Sequence, residues 1–214
     1  MAEQRLNYQL IMEDTIKKLG ERGVLPRLLL HSCCAPCSSY CIETLAAHFK
    51  VSVYYYNPNI YPDEEYYKRE AEQCWFIEHF PTENPVTFIE APFEKDIFYE
   101  TVRGMEDMPE GGERCMKCYR LRLEKTAKYA KEHGFEYFTT TLSISPHKDS
   151  QALNAIGAEL ADKYGIQYLF SDFKKRNGFK RSCEISGEYG MYRQDYCGCE
   201  FSVGTTQIFH STHV

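Results

Sequence analysis

Three thiols fall within five positions of the stretch HSCCAPCSSY: Cys33, Cys34 and Cys37. Successive side chains on an extended chain point to opposite faces, and neighbouring thiols seldom pair with each other. A second pair, Cys115 and Cys118 in ERCMKCYRLR, opens a helical pattern, so that both sulfurs share one face of its first turn. The free N–H groups and dipole of a helix start favour the thiolate, the form that binds metal. A third pair, Cys197 and Cys199, flanks glycine in DYCGCE. CCxxC and CxxC at two loop–helix junctions point to a shared metal site. Four thiolates suit zinc or an iron–sulfur cluster. Structural zinc usually joins loops that lack a core, whereas these cysteines sit at the edge of a chain rich in regular elements, which favours a redox cluster. A tight turn can aim two successive sulfurs at one wide polymetallic body, leaving Cys37 for a second metal or for substrate. A CxC pair can store two electrons as a dithiol, and its small ring makes a labile disulfide. Cys41, Cys74 and Cys183 read as small buried hydrophobes.

The elements that hold these residues follow from periodicity. The first 23 or so residues carry one helical pattern, a lead-in. Arg27–His31 reads as a buried strand and Ser38–Phe49 as a helix, with Ile42, Leu45, Ala46 and Phe49 on one face. Val51–Tyr56 is strand-like, NPNIYP a turn in which Asn57 and Asn59 serve as turn formers, and a helix runs from Pro62 to about Phe80. A short strand Val86–Ile89, a helix Phe93–Val102, a long helix Cys115–His133, a strand Tyr137–Leu142, a helix Gln151–Tyr164 and a strand Ile166–Phe170 complete the pattern. Strands alternating with helices predict an α/β fold: a doubly wound, mostly parallel sheet of Rossmann-like or HUP-like kind with helices on both faces. Residues 1–25 form an N-terminal helical extension in this reading, and 26–214 a single α/β catalytic domain ending in a cysteine-bearing segment. Ligands of such sheets bind beyond the C-terminal strand ends, where HSCCAPC falls.

Composition narrows the classes further. No apolar run approaches the ~18 residues of a membrane span, and the N-terminus lacks a signal-peptide apolar region, so a cytoplasmic protein without membrane contact is expected. Ten cysteines in a reducing compartment favour metal or redox chemistry over a disulfide framework. A formal charge of −6 gives no global field for nucleic acid, which leaves a local patch as the alternative.

HSCCAPC, NPNIYPDEEY, ERCMKCYRLRL, TTTLSISPHKD, DFKKRNGFKRS and YRQDYCGC occur in the order found in QueH-type epoxyqueuosine reductases, which this chain resembles over nearly everything after residue 26. The resemblance implies reduction of epoxyqueuosine to queuosine at the tRNA wobble position, with loss of water. It implies a 4Fe-4S cluster on Cys33, Cys34, Cys115 and Cys118, and a redox-active dithiol/disulfide at Cys197 and Cys199. A second, mononuclear iron is also associated with the family. Some members carry Asp where this chain has Cys37, so Cys37 is the candidate ligand for that iron and the departure leaves its role open.

Epoxide deoxygenation takes two electrons and two protons, so an electron donor, which the sequence does not name, is a required partner. His147, Asp149 and Tyr119 are candidate proton donors by their place beside the motifs. The other partner is tRNA carrying epoxyqueuosine in its anticodon loop. The run KKRNGFKR offers Lys174, Lys175, Arg176, Lys180 and Arg181 to phosphates and Phe179 to a base, with Arg193 and Gln194 beyond. An ATP-dependent tRNA-modifying enzyme of the same fold class is the first rival, but SCCAPCSS stands where a glycine-rich phosphate loop of the SGGxDS type would. A zinc-stabilised tRNA-binding module is the second, and it leaves the CGC pair unexplained.

Overall fold

A computed structural model describes residues 5–203. Of the two segments expected from sequence, residues 1–4 and 204–214 lie outside the described residues. Five strands, β1 (Arg27–His31), β2 (Lys50–Tyr55), β3 (Thr87–Glu90), β4 (Tyr137–Thr140) and β5 (Gln167–Tyr168), form one parallel sheet in the order β3-β2-β1-β4-β5. Seven helices connect and flank them among the described residues: α1 (Tyr8–Glu21), α2 (Ala35–Leu45), α3 (Asp63–His79), α4 (Lys95–Val102), α5 (Glu113–Glu132), α6 (Ser150–Tyr164) and α7 (Gly178–Glu188). The doubly wound α/β architecture expected from the strand–helix alternation is the one observed.

Alternation along β1 divides the core in two. Leu28 and Leu30 pack with α2 and with Val51 and Val53, whereas Leu29 packs with Leu123 and Ala127 of α5 and Leu153 of α6. All three leucines are fully buried, and each such side chain contributes about 1.5–3 kcal/mol. Met12 and Leu19 of α1 join the first cluster. The order reverses between β1 and β4, so the crevice beyond their C-terminal ends is the topological switch point, where open α/β sheets bind ligands.

Three differences from the sequence reading bear on the site. The helix after β1 starts at Ala35, three residues early, because Pro36 suits its first turn. The fourth strand stops at Thr140, whose Oγ1 accepts from Leu142 N at 3.1 Å and caps a 3₁₀ turn over Thr141–Ile144. A further helix, α7, begins at Gly178 within the basic run after β5. The buried face of α7 includes Gly178, Ser182 and Ser186, small and polar, so hydrophobic periodicity does not announce it. A Cβ on Gly178 would lie 1.9 Å from Phe173 O, which explains the glycine where α7 meets α2.

Close approach also fixes Gly157 of α6, whose added Cβ would sit 2.4 Å from the Tyr168 ring. That ring is wedged between Phe138 (centroids 5.0 Å apart) and Phe170 (5.5 Å) and has nowhere to go. Gly157→Ala is therefore expected to destabilise by about 1–2 kcal/mol net of its helix-propensity gain, lowering Tm by about 2–8 °C. Thermal melts check this.

Candidate active site

His31 ends β1 fully buried, with Nδ1 2.9 Å from Thr140 Oγ1 across the switch point. Its Nε2 lies 3.3 Å from Arg122 Nε and 3.1 Å from Tyr56 O. His31 Nε2 thus meets both a donor, the Arg122 N–H, and an acceptor, the Tyr56 carbonyl, while Nδ1 faces the Thr140 hydroxyl, which can play either part. Burial, with the Arg122 charge beside it, pushes the imidazole down to about 3 and keeps it neutral. Arg122 Nη2 donates to Asn57 Oδ1 at 2.5 Å, and Asn57 Nδ2 donates to Ser32 O at 2.9 Å. Asn57 is thus more than a turn former. The chain of bonds ties β1, β4, α5 and the loop after β2 into one rigid floor.

On that floor, Cys34 is extended (φ −176°, ψ 162°) as the residue before α2, and Cys37 stands one turn in. The sulfurs of Cys33, Cys34 and Cys37 all lie within 4.8 Å of one another and could hold a metal ion. Cys33 and Cys34 sulfurs are 3.8 Å apart, and Cys33 Sγ is 3.7 Å from Thr141 Oγ1. Gln194 Nε2 is 3.1 Å from Cys34 Sγ and donates to it. Cys33 is the thiol of the three that ionises first: Cys34 and Cys37 donate to it, and Arg122 and Lys148 face it, which together outweigh burial. The Cys37 thiol is pushed up by Cys33, Cys34 and burial.

Cys115 and Cys118 stand outside this close group. Gly111 N donates to Cys115 Sγ at 3.2 Å. The expectation that the start of α5 lowers both thiols is corrected: burial raises Cys115, and raises Cys118 to about 11 despite Arg122 beside it. Arg122 feels the charge of Cys118 and of Cys33, and so faces both sulfur sets.

The CGC segment is docked on NPNIYP. Tyr61 N donates to Gly198 O at 2.8 Å, Cys199 bridges Ile60 in antiparallel fashion, and Tyr196 Oη donates to Tyr61 O at 2.7 Å. Both cysteines are free thiols. Cys199 is buried with Phe98, Val102 and Cys118, and burial raises it to about 12, while Cys197 is half-buried.

A cavity of about 610 Å³ opens above the triad. It is lined together by Cys33, Cys37, Arg122, His147, Lys148 and Cys197, with Phe179, Arg193 and Gln194 at another wall. Its size is that of an ordinary ligand site, about 300–1,000 Å³. Half-buried Lys148 is here, between the candidate donors His147 and Asp149, and no motif in the sequence marks it. Burial works against its charge, but Cys197, Tyr119, Cys33 and Cys37 outweigh that and hold it protonated. Asp149 caps α6, accepting from Gln151 N at 2.8 Å, and lines a neighbouring cavity of about 520 Å³ with Lys174 and Lys175. Tyr119 is buried, which raises its hydroxyl above the usual tyrosine range.

The basic run is largely internally neutralised. Lys174 pairs with Asp172 (2.7 Å), Arg176 with Glu13 (2.9 Å), and Arg181 with Glu43 (2.8 Å) and Glu188 (2.9 Å). Lys180 lies 3.9 Å from Glu184, with 77% of its side chain exposed. Arg193 donates to Ser186 Oγ at 3.0 Å and stands over the Phe179 ring, 5.5 Å from its centroid.

Comparison with known proteins agrees with the motif order. The model of the family described as "Epoxyqueuosine reductase QueH" matches residues 28–205. A protein of Streptococcus pyogenes bearing that description is 44% identical over 93% of this chain and 79% of its own length. One of Staphylococcus epidermidis is 41% identical over 94% of this chain and 87% of its own. A solved structure described as a predicted subunit of tRNA methyltransferase from Methanocaldococcus jannaschii aligns at TM-score 0.47 and 11% identity, over 77% of this chain and 90% of that one. Cysteines grouped at the switch point, the CGC turn on the same cavity, and family-model and sequence matches along nearly the whole length lead to one conclusion: the chain belongs to the epoxyqueuosine reductase QueH family.

Proposed function

We propose that this protein reduces epoxyqueuosine to queuosine in the anticodon loop of tRNA, releasing the epoxide oxygen as water. The observation that carries the reading is the single cavity lined at once by Cys33 and Cys37 of the first motif, Cys197 of the last, and the cations Arg122 and Lys148.

The donor set suits a soft metal: three thiols in mutual reach, one of them readily ionised, with an amide donating to a sulfur. A 4Fe-4S cluster on Cys33, Cys34, Cys115 and Cys118, with Cys37 offered to a second iron, is the assignment the resemblance supplies. When bound, such a centre would supply electrons singly and Lewis acidity toward the epoxide oxygen. The chain's own residues account for the rest. Oxidation of the Cys197–Cys199 dithiol to a disulfide releases two electrons and two protons, which matches conversion of an epoxide to an alkene and water. An external donor must then return the disulfide to the dithiol. Lys148 Nζ, protonated and on the cavity wall, is placed to neutralise the departing oxygen and to give it a proton. His147 lines the same wall. Asp149, committed to its helix cap, and buried Tyr119 are less well placed.

Substrate entry falls beside α7. Phe179, 37% exposed on the cavity wall and backed by Arg193, offers a face on which an extruded base stacks. Because Lys174, Arg176 and Arg181 are held in ion pairs of 2.9 Å or less, Lys175 and Lys180, the latter exposed and only 3.9 Å from Glu184, are the basic-run residues best able to meet phosphates. Lys175→Ala/Lys180→Ala is expected to weaken tRNA binding and to lower the slope of log K against log salt by about 0.7 for each phosphate no longer neutralised. Arg181→Ala is expected to leave that slope unchanged. Filter binding at four salt concentrations separates them.

The activity test is direct. Anaerobically purified, iron-loaded protein is incubated with a tRNA anticodon stem-loop carrying epoxyqueuosine and a chemical reductant, and the nucleosides are weighed by mass spectrometry. Loss of one oxygen from the modified nucleoside is expected. An unchanged nucleoside with fully loaded protein, or colourless protein carrying only zinc, overturns the proposal.

A further inference from the structure

Arg69 of α3 is an unusual residue to find inside a protein. Its side chain is 1% exposed. One edge is accounted for, since Nε donates to Glu65 Oε1 at 2.6 Å, and that carboxylate is itself only 11% exposed. The other edge is not: Nη1 and Nη2 are buried without a hydrogen-bond partner. A guanidinium carries five N–H donors in a rigid fork, and burying the four on Nη1 and Nη2 unpaired is costly unless something accepts from them.

The position of that edge says what it meets. A Cβ on Gly198 would lie 2.8 Å from Nη1 and 3.4 Å from Cζ, so the fork reaches the CGC turn. The Tyr196 ring lies beneath it, 5.3 Å from Cζ to the centroid. Gln73, one turn further along α3, accepts from Ser32 and Ser38 at 2.6 and 3.0 Å, which fixes α3 against the loop and helix start that carry Cys33 and Cys34. Arg69 is thus held between the first cysteine motif and the last.

We propose that Arg69 is a positioning residue whose free guanidinium edge donates to anionic sulfur at the Cys34 end of the site, and whose fixed charge raises the reduction potential of the metal–sulfur group bound there. This rests on the reading of the site as a metal–sulfur redox centre. Charge-assisted, two-pronged donation is what a guanidinium fork does best. Reduction adds negative charge to such a group, so a cation beside it stabilises the reduced form, and donors to its sulfurs act in the same direction. Electrostatics agree: burial is the largest single effect and opposes the Arg69 charge, but the Cys34 sulfur, Glu65 and the Cys33 sulfur together outweigh it.

The alternative is a plain buried ion pair with Glu65 that holds α3 together. The two differ in sign. Iron content and the midpoint potential, from redox titration followed by electron paramagnetic resonance, are measured for wild type, Arg69→Gln, Glu65→Gln and the double variant. In our proposal Arg69→Gln retains iron, and its one-electron reduction equilibrium falls at least tenfold, a shift of about 59 mV to more negative potential. Glu65→Gln breaks the same pair but keeps the cation, so its potential stays or moves positive. The double variant leaves no lone carboxylate and carries the test if Arg69→Gln does not fold. Its potential is also expected to fall. Unchanged potentials in iron-loaded Arg69 variants, or equal shifts in Arg69→Gln and Glu65→Gln, overturn the proposal while leaving the redox reading intact. A wild type that holds zinc alone overturns both.

Discussion

Cys34→Ala is expected to strip the protein of bound metal and reduce turnover by more than about 100-fold, while Cys41→Ala retains both. The two thiols are close in sequence and equally inaccessible, each 0% exposed. They differ in what surrounds the sulfur. Cys34 Sγ lies in the three-sulfur group and accepts from Gln194 Nε2. Cys41 Sγ donates to Cys37 O at 3.3 Å, a helix-internal bond, and packs in the apolar cluster with Leu45 and Phe49. Loss of residues that merely support a ligand commonly costs 10–100-fold in metal affinity, so loss of a ligand should exceed that. Metal also stabilises the fold that binds it, so Cys34→Ala should lose the Tm increment that metal confers on wild type. Cys41→Ala should instead lower Tm with metal in place, by the ~1–2 kcal/mol of a small cavity. Metal analysis and melts with and without chelator give the comparison. Full metal in Cys34→Ala would remove this thiol from the ligand set.

What was legible in the sequence, and what was not, divides along a physical line. Residues that act through their type were visible. Thiols are rare and their spacing informative, so all three cysteine motifs were found, and β1 was bounded correctly because three consecutive leucines allow little else. Residues that act through burial were not visible. Arg69, Arg122 and Lys148 look in sequence like charges on amphipathic helices or loops, and arginine is seldom fully buried. Arg122 did leave a trace, falling four residues after Cys118 and therefore on the same helix face. Asn57 looked like a turn former because asparagine usually is one there. Only the fold shows its amide bridging Arg122 and Ser32. The basic run shows the same limit for charge. Its charge stood out, but Glu13, Glu43 and Glu188, distant in sequence or beyond the run, take up Arg176 and Arg181.

Gly198→Ala should leave metal content intact and lower turnover by about 100-fold. The glycine lies at φ +100°, where a side chain is strained by roughly 1–2 kcal/mol, and its Cβ would also crowd Arg69 Nη1 at 2.8 Å and Ile60 Cγ1 at 3.3 Å. Neither neighbour yields readily. Arg69 is fully buried, and Ile60 is held by its bridge to Cys199. The turn must therefore lift from NPNIYP, weakening the Tyr61 N to Gly198 O bond and carrying Cys197 away from the cavity wall. A displacement of about 1 Å at a reacting group commonly costs 100-fold. Gly190→Ala is the matched control: its φ is +61°, so it imposes comparable backbone strain, but its Cβ meets nothing within 4 Å. It should lose stability and keep activity. A Gly198→Ala enzyme as active as Gly190→Ala would mean that the CGC turn tolerates displacement, and the assignment of the two-electron store to Cys197 and Cys199 would have to be withdrawn. Inactive Gly198→Ala with full iron would separate the dithiol from the metal group as independently required parts of one site.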